Sequence, residues 1–299
     1  MIVLMTGATG MLGAYLKEIF AADEVSLVGR SRSCDFICDL SASPLVFPEG
    51  YRPELVVHAA GTEDNEGAFE LNEDGTLHLL EALGPVPPRY FVYVSSWQVY
   101  SPGAGEDVDE QTHLLPAADA GKSKARAEAL LSKWCLDHGV VLTILRPATM
   151  FGSGMKGWAH SLFNDVVGGR YVHLRGEDGR VSVVTALDVA RAAKALHSKG
   201  GVYNLSDGEN PTFLQLAEAM SANAGQMKRV SHLPPKWADF IYHFARFVPW
   251  VGYALDPARL ASRSRSMTLS SAAASDAGLT FHRVTDVLRR IDDDYPYSD

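Results

Sequence analysis

The first strand-like run of the chain ends in Thr6-Gly7-Ala8-Thr9-Gly10-Met11-Leu12-Gly13, and a helical pattern follows. Glycine at positions 7 and 10 permits a tight turn and lets backbone N–H groups approach a pyrophosphate, while Gly13 lets helix and strand pack closely. The helix N-terminus adds unpaired donors and a positive dipole end. A glycine triplet alone also occurs in purely structural turns. Here strand, turn and helix come in the order that dinucleotide binding requires. The second strand ends in Val28-Gly29-Arg30-Ser31-Arg32. A site selective for NAD places a carboxylate there for the ribose hydroxyls, whereas the 2′-phosphate of NADP needs cationic and hydroxyl donors. Gly29 stands at the acidic position with Arg30 beside it, and a guanidinium also stacks on adenine. The expectation is NADP, with NAD as second choice; solvated surface arginines are the plain alternative.

These residues need a scaffold that brings strand ends together. Up to about Gly152 the sequence alternates short β-branched runs with helical stretches, the pattern of repeated βαβ units. Strands are expected over 2–5, 25–28, 35–38, 55–58, 90–95 and 140–145, and helices over 11–20, 68–83 and 123–137. The strands read as continuous apolar runs because helices cover both sheet faces. Right-handed crossovers then dictate an α/β fold, a Rossmann-type doubly wound parallel sheet with a small C-terminal substrate lobe. Beyond Gly152 the elements are shorter and mixed: 171–174, 182–185, and helices near 187–197, 213–224 and 284–292. The expected division is a dinucleotide-binding domain over 1–152, with 181–205 returning to it, and a smaller substrate lobe from 153–180 and 206–299. The Ser/Ala-rich stretch 262–274 is expected to be a mobile loop.

At roughly 150 residues per domain, 299 residues allow one large domain or two closely joined ones. With 46% hydrophobic and 21% charged residues the composition is that of an ordinary globular protein. Lys plus Arg number 27 against 36 Asp plus Glu, a net charge of −9 that argues against general nucleic-acid binding. Cys34, Cys38 and Cys135 lack metal-ligand spacing and read as free thiols in a reducing compartment. The chain starts at once with a strand-like run and carries no leader pattern, so the expectation is a cytoplasmic protein. No run of ~20 uncharged apolar residues is present, so no transmembrane segment is expected. The closest approach, 237–253, contains Asp239, His243 and Arg246. Its Trp237, Phe240, Ile241, Phe244 and Val248 fall at helical spacing. It reads as an amphipathic helix packed on the body, with a wall for an apolar ligand or a membrane-surface contact as alternatives.

Several ordered motifs resemble the extended short-chain dehydrogenase/reductase family, the group of nucleotide-sugar epimerases and dehydratases and the 3β-hydroxysteroid dehydrogenase-like enzymes. Thr6 to Gly13 is similar to the family's Thr-Gly-x-x-Gly-x-x-Gly. Asp39-Leu40 resembles the pair beside the adenine amino group, and His58-Ala59-Ala60-Gly61 the turn that passes along the cofactor. Asn72-Glu73-Asp74-Gly75-Thr76 resembles Asn-x-x-Gly-Thr, and Ser95-Ser96-Trp97-Gln98-Val99-Tyr100 resembles Ser-Ser-x-x-Val-Tyr. Arg146-Pro147-Ala148-Thr149-Met150-Phe151-Gly152 is similar to the segment beside the nicotinamide, with Phe151 where tyrosine is usual. Asp188-Val189-Ala190 resembles the re-entry motif. Together these cover nearly the whole chain. They imply cofactor contacts from Gly7, Thr9, Gly10, Met11, Leu12, Arg30, Ser31, Arg32, Asp39, Leu40, Ala59, Ala60, Gly61, Lys124 and Pro147. They also imply a homodimer through 68–83 and 123–137.

The resemblance also implies the chemistry. In the family a serine positions the substrate oxygen, a tyrosine exchanges the proton, and a lysine four residues later lowers the tyrosine pKa and holds the nicotinamide ribose. Hydride transfer belongs to the cofactor. Glu110 and Pro116 lead into Asp119-Ala120-Gly121-Lys122-Ser123-Lys124, which resembles Tyr-Gly-x-Ser-Lys with Ala120 at the tyrosine position. Ser96 and Lys124 are therefore the expected catalytic residues, and the proton carrier is missing. Another acid substitutes, or the protein is a silent dinucleotide sensor, or the position has been altered by mutation. Tyr100, Asp119, His113, or a water held by Ser96 and Lys124 are the candidate substitutes. His58, within an apolar run, reads as a satisfied core group.

Two substrates compete. A nucleotide sugar wants basic side chains for its diphosphate, and Lys156, Arg170, Arg175, Arg180 and Arg191 are available. The stretch 231–261 is aromatic-rich, with Trp237, Phe240, Tyr242, Phe244, Phe247, Trp250 and Tyr253, and resembles the Pro-initiated helical segment of the 3β-hydroxysteroid dehydrogenase-like branch, which implies a hydrophobic, steroid-like alcohol or a membrane surface. The expectation leans to an oxidoreductase or epimerase/dehydratase acting at a hydroxyl or carbonyl carbon of a nucleotide-sugar-like small molecule.

Overall fold

The computed structural model describes residues 1–174, 178–223, 231–233 and 263–289. The segment 237–253, Arg175 and the end of the helix expected over 284–292 lie outside the described residues. The core is a seven-stranded parallel sheet of β1 (Ile2–Thr6), β2 (Glu24–Gly29), β3 (Phe36–Ile37), β4 (Leu55–His58), β5 (Tyr90–Val94), β6 (Val141–Pro147) and β10 (Gly201–Leu205). Their spatial order is β3-β2-β1-β4-β5-β6-β10, and the strand order reverses between β1 and β4, where a doubly wound sheet opens its ligand crevice.

Alternation along each strand divides the sheet's two faces. Val3, Met5, Leu55, Val57, Val92 and Val94 pack with α1 (Met11–Ile19) and α5 (Ala186–Leu196). Leu4, Val56, Phe91 and Tyr93 pack with α2 (Gly75–Leu83) and α3 (Asp119–His138). A separate apolar cluster joins β7 (Thr149–Phe151), α4 (Gly157–Val167), β9 (Val183–Thr185), α6 (Phe213–Asn223) and α8 (Val284–Arg289). β7 and β9 pair with each other, as do β8 (Val172–Leu174) and β11 (Ser231–Leu233). The short α7 (Ala272–Asp276) follows the last bridge.

Three expectations are corrected. The stretch 262–274 is no mobile loop where described: Met267 and Leu269 bridge to Val181 and Val108, and Thr268, Leu269 and Ala274 are buried. The alternation Met267-Thr268-Leu269 is a strand-like pattern that the Ser/Ala content conceals. The helix expected over 68–83 is divided, because Phe69–Asp74 is π-wound before the α-turns of Gly75–Leu83. The wide turn accompanies the inward placement of Asn72. Finally, α3 begins four residues earlier than 123, at Asp119, whose carboxylate favours the first turn.

Candidate active site

The turn after β1 is held by main chain. Gly7 adopts φ +74°, and its carbonyl accepts the Gly10 N–H at 3.0 Å. A Cβ on Gly7 would lie 2.5 Å from the Ala59 carbonyl carbon, and one on Gly13 would lie 2.4 Å from the Gly7 oxygen. Both glycines are therefore required by close approach, and Gly7 by its conformation as well. Gly10 is the N-cap residue of α1 with no side chain to compete for its donors.

A cavity of about 220 Å3 opens there, lined by Gly7, Thr9, Gly10, Arg30, Asp39, Leu40, Ala59, Ala60 and Gly61, with Ser41 and Cys38 beside them. Arg30 is 81% exposed and 3.9 Å from the Asp39 carboxylate. The Ser41 hydroxyl donates to Asp39 at 2.6 Å and, with Arg30 nearby, holds that carboxyl below its ordinary range. Met11 and Leu12 contribute the first turn of α1, the Leu12 side chain facing the core. Ser31 bonds to Ser33 in the turn after β2, and neither it nor Arg32 lines the cavity.

His58 ends β4 and ties this turn to α2. Thr76 donates to the Asn72 carbonyl at 2.6 Å, so it accepts from His58 Nε2–H at 3.0 Å. Nδ1 then accepts from Thr6 at 2.7 Å, and the Thr6 hydroxyl takes the Ala60 N–H at 3.0 Å. Burial, with Lys124 beyond it, pushes the ring pKa down to about 3. The imidazole is a neutral structural pin.

The corner that holds the expected catalytic residues lies where α3 meets β4 and β5. Lys124 is buried, and its ammonium donates to the Val94 carbonyl at 3.2 Å. Burial lowers its pKa, opposed by the charges of Glu63 and Glu128. A Cβ on Gly61 would lie 3.0 Å from Lys124 Nζ and 2.8 Å from Asn72 Oδ1, so the lysine reaches the turn that follows β4. Asn72 fastens that turn. Its Oδ1 accepts the Thr62 N–H at 2.8 Å, and its Nδ2 donates to the Thr62 carbonyl and the Ser123 hydroxyl. Ser96 Oγ accepts the Gln98 N–H at 3.2 Å, and Gln98 Oε1 is buried without a partner. A Cβ on Gly121 would lie 2.2 Å from the Gln98 carbonyl oxygen, which explains glycine there: α3 presses directly on the turn after Ser96. Pro147 ends β6 on the same side of the sheet.

Ala120 is fully buried, its N–H donating to Asn65 Oδ1 at 3.2 Å. The side-chain substitutes expected for a tyrosine there are engaged or remote. Tyr100 is buried, donates to Asn204 at 2.8 Å and accepts from Arg146 at 2.9 Å; burial raises its pKa. Arg146 in turn forms a buried pair with Glu128 at 2.6 Å, and Glu128 accepts from Ser95. Asp119 pairs with Lys122 at the surface, and His113 is exposed.

A second cavity, of about 330 Å3, adjoins the corner through Trp97 and Ala148, the residues after Ser96 and Pro147. Among the described residues its walls are mainly apolar, with Arg263 and Arg265 as the charged lining groups. Of the basic residues expected to meet a diphosphate, none of the described ones, Lys156, Arg170, Arg180 and Arg191, lines it. Arg170 faces Asp165, Arg180 the Asn210 carbonyl, and Arg191 Asp188, while Lys156 is exposed ahead of α4. Arg263, Arg265, Trp158 and Phe213 escaped sequence reasoning, since no local pattern joins them. Among the described residues no cluster of His, Cys, Asp and Glu is arranged to hold a metal, and no helix is long and apolar enough to cross a membrane.

Fold and motifs together define an extended short-chain dehydrogenase/reductase. More narrowly, the chain belongs to the NAD dependent epimerase/dehydratase family, whose model matches residues 3–206. It is 23% identical over 257 residues to N-acetyl-alpha-D-glucosaminyl-diphospho-ditrans,octacis-undecaprenol 4-epimerase of Escherichia coli O157:H7, covering 78% of this chain and 75% of that protein. Another curated relative, from Sinorhizobium fredii and without an assigned activity, is matched over only 43% of its length. The UDP-glucose 4-epimerase of Thermotoga maritima, solved with UDP-glucose, superimposes with a TM-score of 0.74 at 19% identity, covering 97% of this chain and 96% of that one. RMD from Pseudomonas aeruginosa, complexed with NADPH, superimposes with a TM-score of 0.73 at 22% identity over 97% and 98%.

Proposed function

We propose that this chain binds NADP and acts at a hydroxyl or carbonyl carbon of a small anionic molecule, the reaction type of the epimerases and dehydratases it resembles. The observation that carries the reading is the Gly7–Gly13 cradle, where any side chain would strike main chain, with exposed Arg30 at its rim. Those residues fit a dinucleotide: the α1 N-terminus and cradle take the pyrophosphate, Arg30 the 2′-phosphate, and Asp39 and Leu40 the adenine. When bound, the nicotinamide supplies hydride chemistry. Ser96 orients the substrate oxygen. The orphaned Gln98 Oε1 accepts from a second ligand donor. With Ala at 120, proton exchange falls to Lys124, whose burial moves its ammonium toward a transferable proton.

A second reading has its own support: Ala120 with every side chain weighed as a substitute engaged or remote favours a silent dinucleotide-binding regulator. Paired calorimetric titrations with NADPH and NADH test the first. NADPH is expected to bind more tightly, and Arg30→Asp to remove about tenfold of that preference. Failure of both nucleotides to bind would sink the assignment. Turnover that appears only in Ala120→Tyr would select the silent reading.

A further inference from the structure

Resting on that reading, we infer that the cavity beside Ser96 takes an anionic amphiphile: an apolar chain or ring system joined to a phosphate or carboxylate head, not a hydroxyl-rich sugar. The apolar walls come from Trp97, Trp158, Leu162, Phe213, Met267 and Leu269, with the Trp158 and Phe213 ring centres 5.2 Å apart. Among the described residues the polar lining has little left for sugar hydroxyls. Ser182 Oγ donates to Asn210 at 2.6 Å and accepts the Leu269 N–H at 2.7 Å. Thr149 Oγ1 accepts the Trp158 indole N–H at 3.1 Å. Among the described residues no carboxylate or carboxamide lines the cavity. A pyranose carried in would exchange its hydrogen bonds with water for hydrocarbon contact, hydroxyl by hydroxyl. An alkyl or ring system loses nothing of that kind and gains burial.

Charge fixes the other end of the ligand. Arg263 stands 4.9 Å from the Tyr171 ring centre, which sets its guanidinium, and Arg265 is exposed with no ion pair or hydrogen bond among the described residues. The Arg265 guanidinium, in an apolar wall beside Arg263, attracts a phosphate or a carboxylate alike, because both present paired oxygens to the fork. The head lies at these arginines. The apolar body runs toward Trp97 and Ala148, next to Ser96 and Pro147, where the reacting carbon belongs.

The test is calorimetric, on the full chain with and without saturating NADP, using decyl phosphate, decanoate, decanol and UDP-glucose below any micelle concentration. Decyl phosphate or decanoate is expected to bind at least about tenfold more tightly than decanol and UDP-glucose. The better of the two identifies the head. Arg265→Gln, at an exposed position, is expected to weaken it by about tenfold and leave NADP affinity unchanged. Leu162→Asp should weaken it further. Tighter binding of UDP-glucose, equal binding of decanol, indifference to Arg265→Gln, or no binding of any probe would each overturn the inference. Loss of NADP binding with retained decyl phosphate binding would instead count against the cofactor assignment and leave this one standing.

Discussion

The glycine-turn side of the crevice is built around a run of sequence neighbours: Gly10 and Gly13 press on the main chain of Gly7 and Ala8, and Gly7 on that of Ala59 and Ala60. The corner beyond it is built from side chains that start far apart: Ser95, Glu128, Arg146, Tyr100 and Asn204 form one buried hydrogen-bonded network. On the first side affinity rests on absence of side chains, so nearly any substitution acts by obstruction. On the second it rests on full mutual satisfaction, so removing one partner strands another. The two sides should fail in different ways.

The largest effect is expected in the network. Glu128→Ala leaves the Arg146 guanidinium buried without its carboxylate and should cost about 3–5 kcal/mol in denaturant unfolding. A loss below about 1 kcal/mol would mean that water replaces the carboxylate, and the contrast would dissolve. Next comes the cradle. Gly7→Val forces a β-branched residue to positive φ against Ala59 and should weaken NADPH binding by about a hundredfold, or about 2.7 kcal/mol, beyond any loss of stability. Unaltered affinity in a folded variant would remove the cradle from the site.

The smallest effect per step sharpens the boundary between the sides, where His58 sits. Its folded pKa, about 3, lies below the unfolded value near 6.5, so between those limits the unfolded chain holds the extra proton. Stability should therefore fall by about 1.4 kcal/mol for each pH unit below about 6.5, the loss ending near about 3. Urea midpoints of the wild type and His58→Gln, followed from pH 7 to 4.5, should differ in slope by that amount. Parallel slopes would show that the ring is protonated in the folded protein.

Much of the sheet was legible because its strands are local apolar runs separated by helical periodicity. The six strands expected over 2–145 all lie in it, with ends shifted by no more than two residues. The glycine turn was legible for the same reason, since its glycine spacing and the strand and helix around it are local, although Gly7 also meets Ala59. Misreadings arose where a local pattern meets a tertiary partner. The serines and alanines around Leu269 suggested a loop until Val108 and Val181 paired with that segment, and the start of α3 moved because its first turn docks on Gln98 and Asn65. Of the charged residues chosen for a substrate, Arg170, Arg180 and Arg191 meet protein partners of their own.

By itself the sequence determined the doubly wound sheet, the glycine-rich turn after β1 and the absence of tyrosine at position 120, because each depends on residue type at short range. Only the tertiary structure decided that Tyr100 is locked to Arg146, that His58 is a neutral pin, and that Arg263 and Arg265 join Trp97 and Trp158 around one cavity. Burial, pKa and shape are properties of what surrounds a side chain, and those surroundings are assembled from residues as distant as 97 and 269.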